Sequence, residues 1–283
     1  MTGDRIAIIG LGPGGISCAI QLHRYGLRPR IFEPSDTPGL LKNANLVENY
    51  PGFPEGITGS ELYARFMKQL EQYSPDIVRS RVNKVVREEA QFILDAGEDV
   101  GRYKFVVLST GTRPQELDLD HPREKTFYEV ADVPRDLKNI LILGGGDAAF
   151  DYALNLKDQE KEIWIVCRGE RPKCLGLLEK RCQDAGIETI IGTGVTSITE
   201  DQGRISATLE NGLQIEADCL LCALGRAPKL DPVDKDIRET LDNGGNVEGL
   251  FLVGDVKNGL RRQVGIAVGD GLKAAMEIWE MMI

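Results

Sequence analysis

A glycine fingerprint occurs twice in this chain, each time between an apolar run and a stretch with helical spacing. The first copy spans residues 5–15 (RIAIIGLGPGG) and the second spans residues 139–149 (NILILGGGDAA). Each copy has the pattern of a strand, a tight turn and a helix, and a further apolar strand follows it. In this context the glycines let the backbone approach a pyrophosphate, and the helix N-terminus offers it free amides. Two copies predict two bound dinucleotides and therefore hydride transfer between them.

The residues at the end of the second strand differ between the two copies. Glu33 follows the first glycine by 23 residues, where an acid accepts hydrogen bonds from ribose hydroxyls and repels a 2′-phosphate, so we expect FAD or NAD there. In the second copy the strand ends at Arg168, with Arg171 and Lys173 just beyond. These cations suit the 2′-phosphate of NADP. The cations therefore favour NADP over NAD. Glu170 lies among them and weakens this preference, and a solvated charged loop is the alternative interpretation.

Length and charge restrict the class of protein. A chain of 283 residues has room for about two domains. Its net charge of −10 argues against a nucleic-acid partner, which requires a basic surface. We expect no membrane span, because no apolar run reaches 18 residues, and no secretory signal, because the first strand begins near residue 5. These features predict a soluble cytoplasmic protein.

The cysteines and histidines indicate neither a metal site nor a nucleophilic mechanism. Cys219 and Cys222 have C-x-x-C spacing, but their apolar run predicts a buried strand, on which residues three apart point to opposite faces. They are therefore expected to be core thiols. His23 and His121 are isolated in sequence, so we expect no metal site and no Ser-His-Asp or Cys-His constellation. No catalytic side chain is predicted, because the cofactors carry hydride chemistry.

A long polar loop follows the first fingerprint. It covers residues 43–62 and ends in a capping box, Thr58-x-x-Glu61, which predicts a helix through Tyr73. Its Val-Glu-Asn-Tyr-Pro-Gly-Phe-Pro run resembles the flavin loop of the thioredoxin reductase family. The chain is similar to that family in its other signatures too, in the same order and over essentially its whole length: residues 10–15, 109–111, 225–228, 252–255 and 262–263.

The resemblance implies an α/β fold of two Rossmann-like (three-layer ββα) dinucleotide-binding domains, the second inserted into the first. The FAD-binding domain would comprise residues 1–114 and 247–283, and the NAD(P)-binding domain residues 115–246. The hinge crossings would lie at residues 110–114 and 242–246.

Site residues follow from the matched motifs. The FAD-binding residues are expected to be Gly10, Gly12, Pro13, Gly14, Gly15, Glu33, Leu40, Leu41, Asn49, Val82, Thr110, Gly111, Gly254, Asp255, Arg262, Gln263 and Val264. The NAD(P)-binding residues are expected to be Gly144, Gly145, Gly146, Asp147, Ala148, Ala149, Arg168, Arg171, Lys173, Gly225 and Arg226. Asp255 has its own rationale, because a carboxylate after the apolar run 251–254 can reach ribityl hydroxyls; a simple helix cap is the alternative.

The chain departs from the family at three places. Thioredoxin reductases carry a redox Cys-x-x-Cys just before the second fingerprint, whereas residues 126–134 here contain no cysteine and resemble the thioredoxin reductase-like ferredoxin–NADP reductases. The flavin-side Gly-Gly-Gln-Leu is replaced by Pro38-Gly-Leu-Leu41, without an amide. The sequence stops at Ile283, without the tail that covers one flavin face, so a protein acceptor or a dimer partner is expected there.

The leading prediction is an FAD-dependent, NAD(P)H-dependent oxidoreductase with a ferredoxin, flavodoxin or other small redox protein as acceptor. Overall acidity opposes an acidic acceptor, but a local basic patch can still steer docking, with candidates at Arg79, Arg81, Lys84, Arg87, Lys257, Arg261 and Arg262. A disulfide reductase that uses Cys219 and Cys222, of the thioredoxin-reducing kind, is one alternative. A redox-inactive flavin and nucleotide sensor is the other. A homodimer through the FAD-binding domain is expected, because the apolar side chains of the last helix exceed what one face needs.

Overall fold

The structure, a computed structural model, describes residues 6–35 and 39–283. Its contacts divide the chain into two compact units. Unit 1 consists of Met1–Lys42, Glu48–Arg113 and Ala227–Ile283, and unit 2 of Asn43–Val47 and Pro114–Arg226.

Eighteen strands and six helices are found in the described part of the chain. In chain order they are β1 (Ile6–Ile9), α1 (Pro13–Arg24), β2 (Arg30–Phe32), α2 (Gly59–Glu71), β3 (Asp76–Val78), β4 (Lys84–Glu88), β5 (Gln91–Ala96), β6 (Asp99–Tyr103), β7 (Phe105–Leu108), β8 (Thr112–Pro114), β9 (Thr126–Phe127), β10 (Asn139–Leu143), α3 (Asp147–Lys157), β11 (Glu162–Cys167), α4 (Gly176–Asp184), β12 (Glu188–Ile191), β13 (Val195–Asp201), β14 (Arg204–Leu209), β15 (Gln214–Ala217), β16 (Cys219–Cys222), β17 (Arg226–Pro228), α5 (Lys235–Asp242), β18 (Leu250–Leu252) and α6 (Val264–Glu280).

The two units repeat one architecture. Unit 1 has a parallel sheet of order β18-β7-β1-β2-β3 and an antiparallel sheet β4-β5-β6, and unit 2 has a parallel sheet of order β12-β11-β10-β16-β9 and an antiparallel sheet β13-β14-β15. Each fingerprint begins on the central strand of its parallel sheet, β1 or β10. This is the three-layer arrangement that the family resemblance implies, and the fold class is confirmed.

Burial on both faces explains why the central strands are continuous apolar runs. All four residues of β1 and all four of β16 are buried. On β16, Cys219 and Leu221 belong to the core shared with α3 and α4, whereas Leu220 and Cys222 belong to the core shared with the antiparallel sheet of unit 2. The prediction that the two thiols lie on a buried strand and point to opposite faces is therefore confirmed.

Residues 227–246 correct the predicted domain boundary. They were expected in the inserted domain, but they pack within unit 1. The Val85 amide donates to the Pro232 carbonyl at 2.6 Å, and Val233 and Ile237 are buried in the core around Val85 and Phe92. The return crossing is therefore β17, which pairs with β8, whereas the first crossing lies within the expected residues 110–114. The prediction failed because α5 has no sequence pattern that says which sheet it packs against.

The capping box has the predicted geometry. The Thr58 hydroxyl accepts a hydrogen bond from the Glu61 amide at 3.2 Å, and α2 begins directly after Thr58. The helix ends at Glu71, two residues before the predicted end. Across residues 6–35 and 39–283, no helix combines the length and the apolar character needed to cross a bilayer. The same residues contain no group of three or more His, Cys, Asp or Glu side chains arranged to hold a metal ion.

Candidate dinucleotide-binding sites

The first glycine loop joins β1 to α1 in unit 1. Gly10 has φ +101°, and a Cβ there would lie 2.5 Å from the Ser109 carbonyl oxygen, so only glycine fits. Gly12 is the N-cap of α1, and no atom of another described residue lies within 4 Å of the position that its Cβ would take. Within residues 6–35 and 39–283, no side chain caps this helix end. Its amides and this open space form a cradle that fits a pyrophosphate.

Glu33 lies directly beside this loop. Its carboxylate is buried and accepts hydrogen bonds from the Leu11 amide and the Ser35 amide, each at 3.0 Å. The end of β2 is thereby tied to the turn between the two first glycines. A carboxylate fixed in this way has lone pairs left for ribose hydroxyls, as the sequence predicts for an adenosine-binding acid.

A hydrogen bond joins two other predicted FAD residues that are 214 positions apart. The Asn49 side-chain amide donates to the Gln263 side-chain oxygen at 2.7 Å. Gln263 is the N-cap residue of α6, and Val264 is the first residue of that helix. The structure therefore brings the polar loop after the 3₁₀ turn of residues 40–43 to the N-terminus of α6. In the sequence, only the family resemblance indicated this contact.

The remaining predicted FAD residues are at scattered places in unit 1. Leu41 and Val82 are buried. The Thr110 hydroxyl donates to the Lys229 carbonyl at 2.6 Å, and the Gly111 carbonyl accepts from the Lys229 amide at 3.0 Å, so both belong to the crossing region. Pro38 of the flavin-side run lies outside the described residues. The others are Pro13, Gly14 and Gly15 at the start of α1, Leu40 in a 3₁₀ turn, Gly254 and Asp255 in the 3₁₀ turn after β18, and Arg262 just before α6.

The second glycine loop has the same construction in unit 2. Gly144 has φ +153°, and a Cβ there would lie 2.5 Å from the Ala223 carbonyl oxygen. Gly146 is the N-cap of α3; in the described part of the chain, no side chain caps it and no atom of another residue lies within 4 Å of the position that its Cβ would take. This loop therefore also offers free amides beside an open space. Asp147, Ala148 and Ala149 form the first turn of α3.

The predicted cation loop is tied to this glycine loop. The Lys173 amide donates to the Gly145 carbonyl at 2.6 Å, and the Leu175 amide donates to the Asp147 carboxylate at 2.7 Å. The Arg168, Arg171 and Lys173 side chains are exposed. An anion held by the glycine loop would therefore have three exposed cations on the adjoining segment. These residues fit a phosphorylated ribose.

Gly225 and Arg226 are in unit 2, but Arg226 belongs to a network that the sequence did not predict. Its guanidinium contacts the Glu129 carboxylate at 2.8 Å, with both side chains 17% exposed. The other Glu129 oxygen accepts from the Asn43 amide at 2.7 Å and from the Tyr152 hydroxyl at 3.2 Å. Burial, followed by the nearby Glu129 charge, raises the pKa of Tyr152. These partners are 23 to 97 residues from Glu129, so no local motif could have indicated the network.

Comparison with known proteins identifies the family of the chain. The sequence matches the family described as "Pyridine nucleotide-disulphide oxidoreductase" over residues 4–271. The chain belongs to this family.

Its relatives include thioredoxin reductases. The chain is 27% identical to the thioredoxin reductase of Pneumocystis carinii, over 96% of this chain and 94% of that protein. It is also 27% identical to "NADPH-dependent thioredoxin reductase 3" of Arabidopsis thaliana, over 96% of this chain, which spans 57% of that longer protein. The structure is similar to that of T. acidophilum thioredoxin reductase, with a TM-score of 0.83 and 25% identity over 98% of each chain.

A further solved structure supports the fold. Lactococcus lactis thioredoxin reductase has a TM-score of 0.86 and 24% identity, over 99% of each chain. Thioredoxin reductases of this family are FAD-containing, NADPH-dependent enzymes. This chain is therefore an oxidoreductase of the thioredoxin reductase type, and its two glycine loops fit the two dinucleotides that such enzymes bind.

Proposed function

We propose that the chain binds FAD in unit 1 and NADPH in unit 2, and passes electrons to a small acceptor protein of the ferredoxin or flavodoxin type. When bound, the two cofactors supply the hydride chemistry. The amides at the Gly12 and Gly146 helix ends would hold the pyrophosphates, Glu33 would orient a ribose of the flavin nucleotide, and Arg168 would bind the 2′-phosphate.

The choice of acceptor rests on the state of the cysteines. All six cysteines are free. Cys219 and Cys222, the only pair with C-x-x-C spacing, point into two different cores of unit 2. Burial raises the pKa of each thiol to about 12. Because the thiolate is the form that attacks a disulfide, these thiols are unreactive at neutral pH, and the pair is poorly suited to relay electrons to a disulfide substrate.

Reduction of thioredoxin is the second candidate, because the relatives named above are thioredoxin reductases. It requires a thiol pair that exchanges with the substrate disulfide, and segment 126–134, where the family carries that pair, has none. A redox-inactive sensor is the third candidate. It predicts that both nucleotides bind and that no acceptor is reduced.

One set of assays separates the three candidates. Purified protein loaded with FAD is mixed anaerobically with NADPH, and bleaching of the flavin absorbance is followed. Steady-state turnover is then measured with ferredoxin, flavodoxin, thioredoxin and ferricyanide. We expect bleaching and turnover with ferredoxin or flavodoxin, and the same rates in Cys222→Ser. Thioredoxin reduction that disappears in Cys222→Ser would overturn the choice of acceptor. Flavin that NADPH does not bleach would support the sensor.

Two further assignments belong to the proposal. The free state of all six cysteines is typical of a reducing compartment, which supports a cytoplasmic location. A homodimer through unit 1 is supported by α6, on which Ile266, Leu272 and Met276 are 38 to 48% exposed. Light scattering at micromolar concentration should give about twice the 31.2 kDa chain mass. A mass near that of one chain would rule the dimer out.

A further inference from the structure

A carboxylate from a distant hairpin lies beside the cation loop of unit 2. Glu210 begins the turn between β14 and β15, 42 residues after Arg168. A Cβ built on Gly194 would lie 3.1 Å from a Glu210 carboxylate oxygen and 3.4 Å from the Arg168 Cδ atom. Both side chains therefore border the same point, and Glu210 adds a negative charge beside the cation that would bind a 2′-phosphate.

The position of this carboxylate is fixed by the main chain. The Gly194 amide donates to the Glu210 carboxylate at 2.9 Å, and the Glu210 amide donates to the Gly194 carbonyl at 2.9 Å. Nearby, the Gly192 amide donates to the Cys167 carbonyl at 2.9 Å and to the Gly169 carbonyl at 3.0 Å. The segment directly after β12 thus binds Glu210 through Gly194 and binds the backbone on both sides of Arg168 through Gly192.

We propose that Glu210 is a specificity-determining residue that limits the preference of unit 2 for NADPH over NADH. The inference rests on the proposed binding of NADPH by this loop. A fixed negative charge beside Arg168 offsets part of the attraction between the guanidinium and the 2′-phosphate, and it repels that phosphate directly. A nucleotide without the 2′-phosphate is not subject to this repulsion, so the charge narrows the difference between the two nucleotides.

The substitution Glu210→Gln isolates the charge. The glutamine side-chain oxygen can still accept the hydrogen bond from the Gly194 amide, so the hairpin keeps its anchor and only the negative charge is removed. Glu188→Gln is the matched control: Glu188 is also exposed and in unit 2, but it begins β12, whereas Gly194 follows the end of that strand.

The test measures binding rather than turnover. Calorimetry on the FAD-loaded protein determines the dissociation constants of adenosine 2′,5′-bisphosphate and of 5′-AMP, which differ only in the 2′-phosphate. Glu210→Gln should tighten the bisphosphate by roughly three- to tenfold at low salt and leave 5′-AMP within about twofold. The gain should shrink in 0.5 M salt, because the Debye length there falls to about 4 Å. Glu188→Gln should change neither ligand.

Three results would overturn the inference. Unchanged or weaker binding of the bisphosphate by Glu210→Gln would mean that the carboxylate does not oppose the 2′-phosphate, and weaker binding would show that it instead orients Arg168. An equal gain for 5′-AMP would show an effect unrelated to the 2′-phosphate. If the unsubstituted protein binds 5′-AMP but does not favour the bisphosphate, the proposed NADPH site fails, and the inference fails with it.

Discussion

The two units have the same sheet order but select the ribose side of a nucleotide in different ways. In unit 1 Glu33 directly follows the second strand, β2, and is a buried acceptor that the Leu11 and Ser35 amides hold in place. In unit 2 Arg168 directly follows the equivalent strand, β11, and its side chain is exposed, while the main chain of the loop is fixed through Gly145 and Gly192. A buried carboxylate gives a rigid acceptor, whereas exposed cations give a field that neighbouring charges such as Glu210 can change.

The two parallel sheets also differ at the N-terminal ends of their strands. Arg30 at the start of β2 forms exposed or half-buried ion pairs with Asp99 at 2.6 Å and Asp76 at 3.6 Å. Lys161, just before β11, is 1% exposed, and its ammonium donates to the carbonyls of Pro134, Arg135 and Leu137. Burial lowers the pKa of Lys161. Unit 2 therefore relies on a buried cation where unit 1 relies on surface pairs.

The largest effect is expected from Lys161→Met. Loss of the ammonium leaves three carbonyls without a donor, so the free energy of unfolding should fall by about 2–4 kcal/mol. Arg30→Met in unit 1 is the matched comparison and should cost about 1 kcal/mol or less, because exposed pairs contribute little. Denaturant unfolding measures both. Equal losses would show that the buried Lys161 ammonium and the Arg30 ion pairs contribute equally to stability.

Glu33→Gln tests the rigid acceptor of unit 1. Glutamine lacks the negative charge, and its amide nitrogen donates where the second carboxylate oxygen accepted. FAD affinity should therefore fall by about 1.5–3 kcal/mol, or roughly ten- to 150-fold. Fluorescence titration of the apoprotein with FAD measures this. Glu71→Gln, at the exposed end of α2, should leave FAD affinity unchanged. Retained affinity in Glu33→Gln would remove Glu33 from the flavin site.

Arg168→Ala tests the exposed cations of unit 2. Loss of a charge-assisted contact costs about 1.5–3 kcal/mol, so the KM for NADPH should rise by roughly ten- to 150-fold. The KM for NADH should change little, because NADH has no 2′-phosphate. Arg135→Ala removes an exposed cation just before β10 and should affect neither nucleotide. An equal rise for both nucleotides would leave NADH as the better assignment.

The smallest effect concerns a half-buried carboxyl in unit 2. Burial raises the pKa of Asp151 to about 6, partly offset by hydrogen bonds from the Asn45 and Leu46 amides. A carboxyl with a raised pKa binds protons more tightly in the folded protein, so its contribution to stability grows as the pH falls from about 7 to about 4.

Asp151→Asn should therefore stabilise the protein by about 1–2 kcal/mol at pH 7.5 and give no gain near pH 4. Thermal unfolding across this pH range checks the prediction. Asp120→Asn, an exposed carboxyl in the same unit, should show no such trend. A loss of stability at pH 7.5 would mean that the charge itself holds Asn45 and that this attraction outweighs the cost of burial.

The features that the sequence predicts are those written in local patterns. The strand, turn and helix of each fingerprint, the Thr58 capping box and the opposite faces of Cys219 and Cys222 all follow from periodicity and spacing, and the structure confirms them. Turn glycines and capping residues act within a few positions, so their consequences can be read without knowing the fold.

Features that depend on distant contacts were beyond such reading. Ile237 has helical spacing, but its burial in unit 1 depends on strands that begin more than 130 residues earlier. The Asn43 amide reaches Glu129 across 86 positions, and Glu210 reaches the cation loop through Gly194. Each of these contacts involves an ordinary polar or apolar residue with no distinctive neighbours, and only the packing of sheets brings the partners together.

The two buried thiols of β16 can also report when the core of unit 2 opens. Because both thiols are buried on β16, the partner of β10 in unit 2, a thiol reagent can label Cys219 or Cys222 only when the packing around that strand opens. Labelling rates measured by mass spectrometry would thus report the free energy of rare opening events in the nucleotide-binding unit. Added nucleotide should slow the labelling by mass action, which gives a binding assay that needs no turnover and no coloured acceptor.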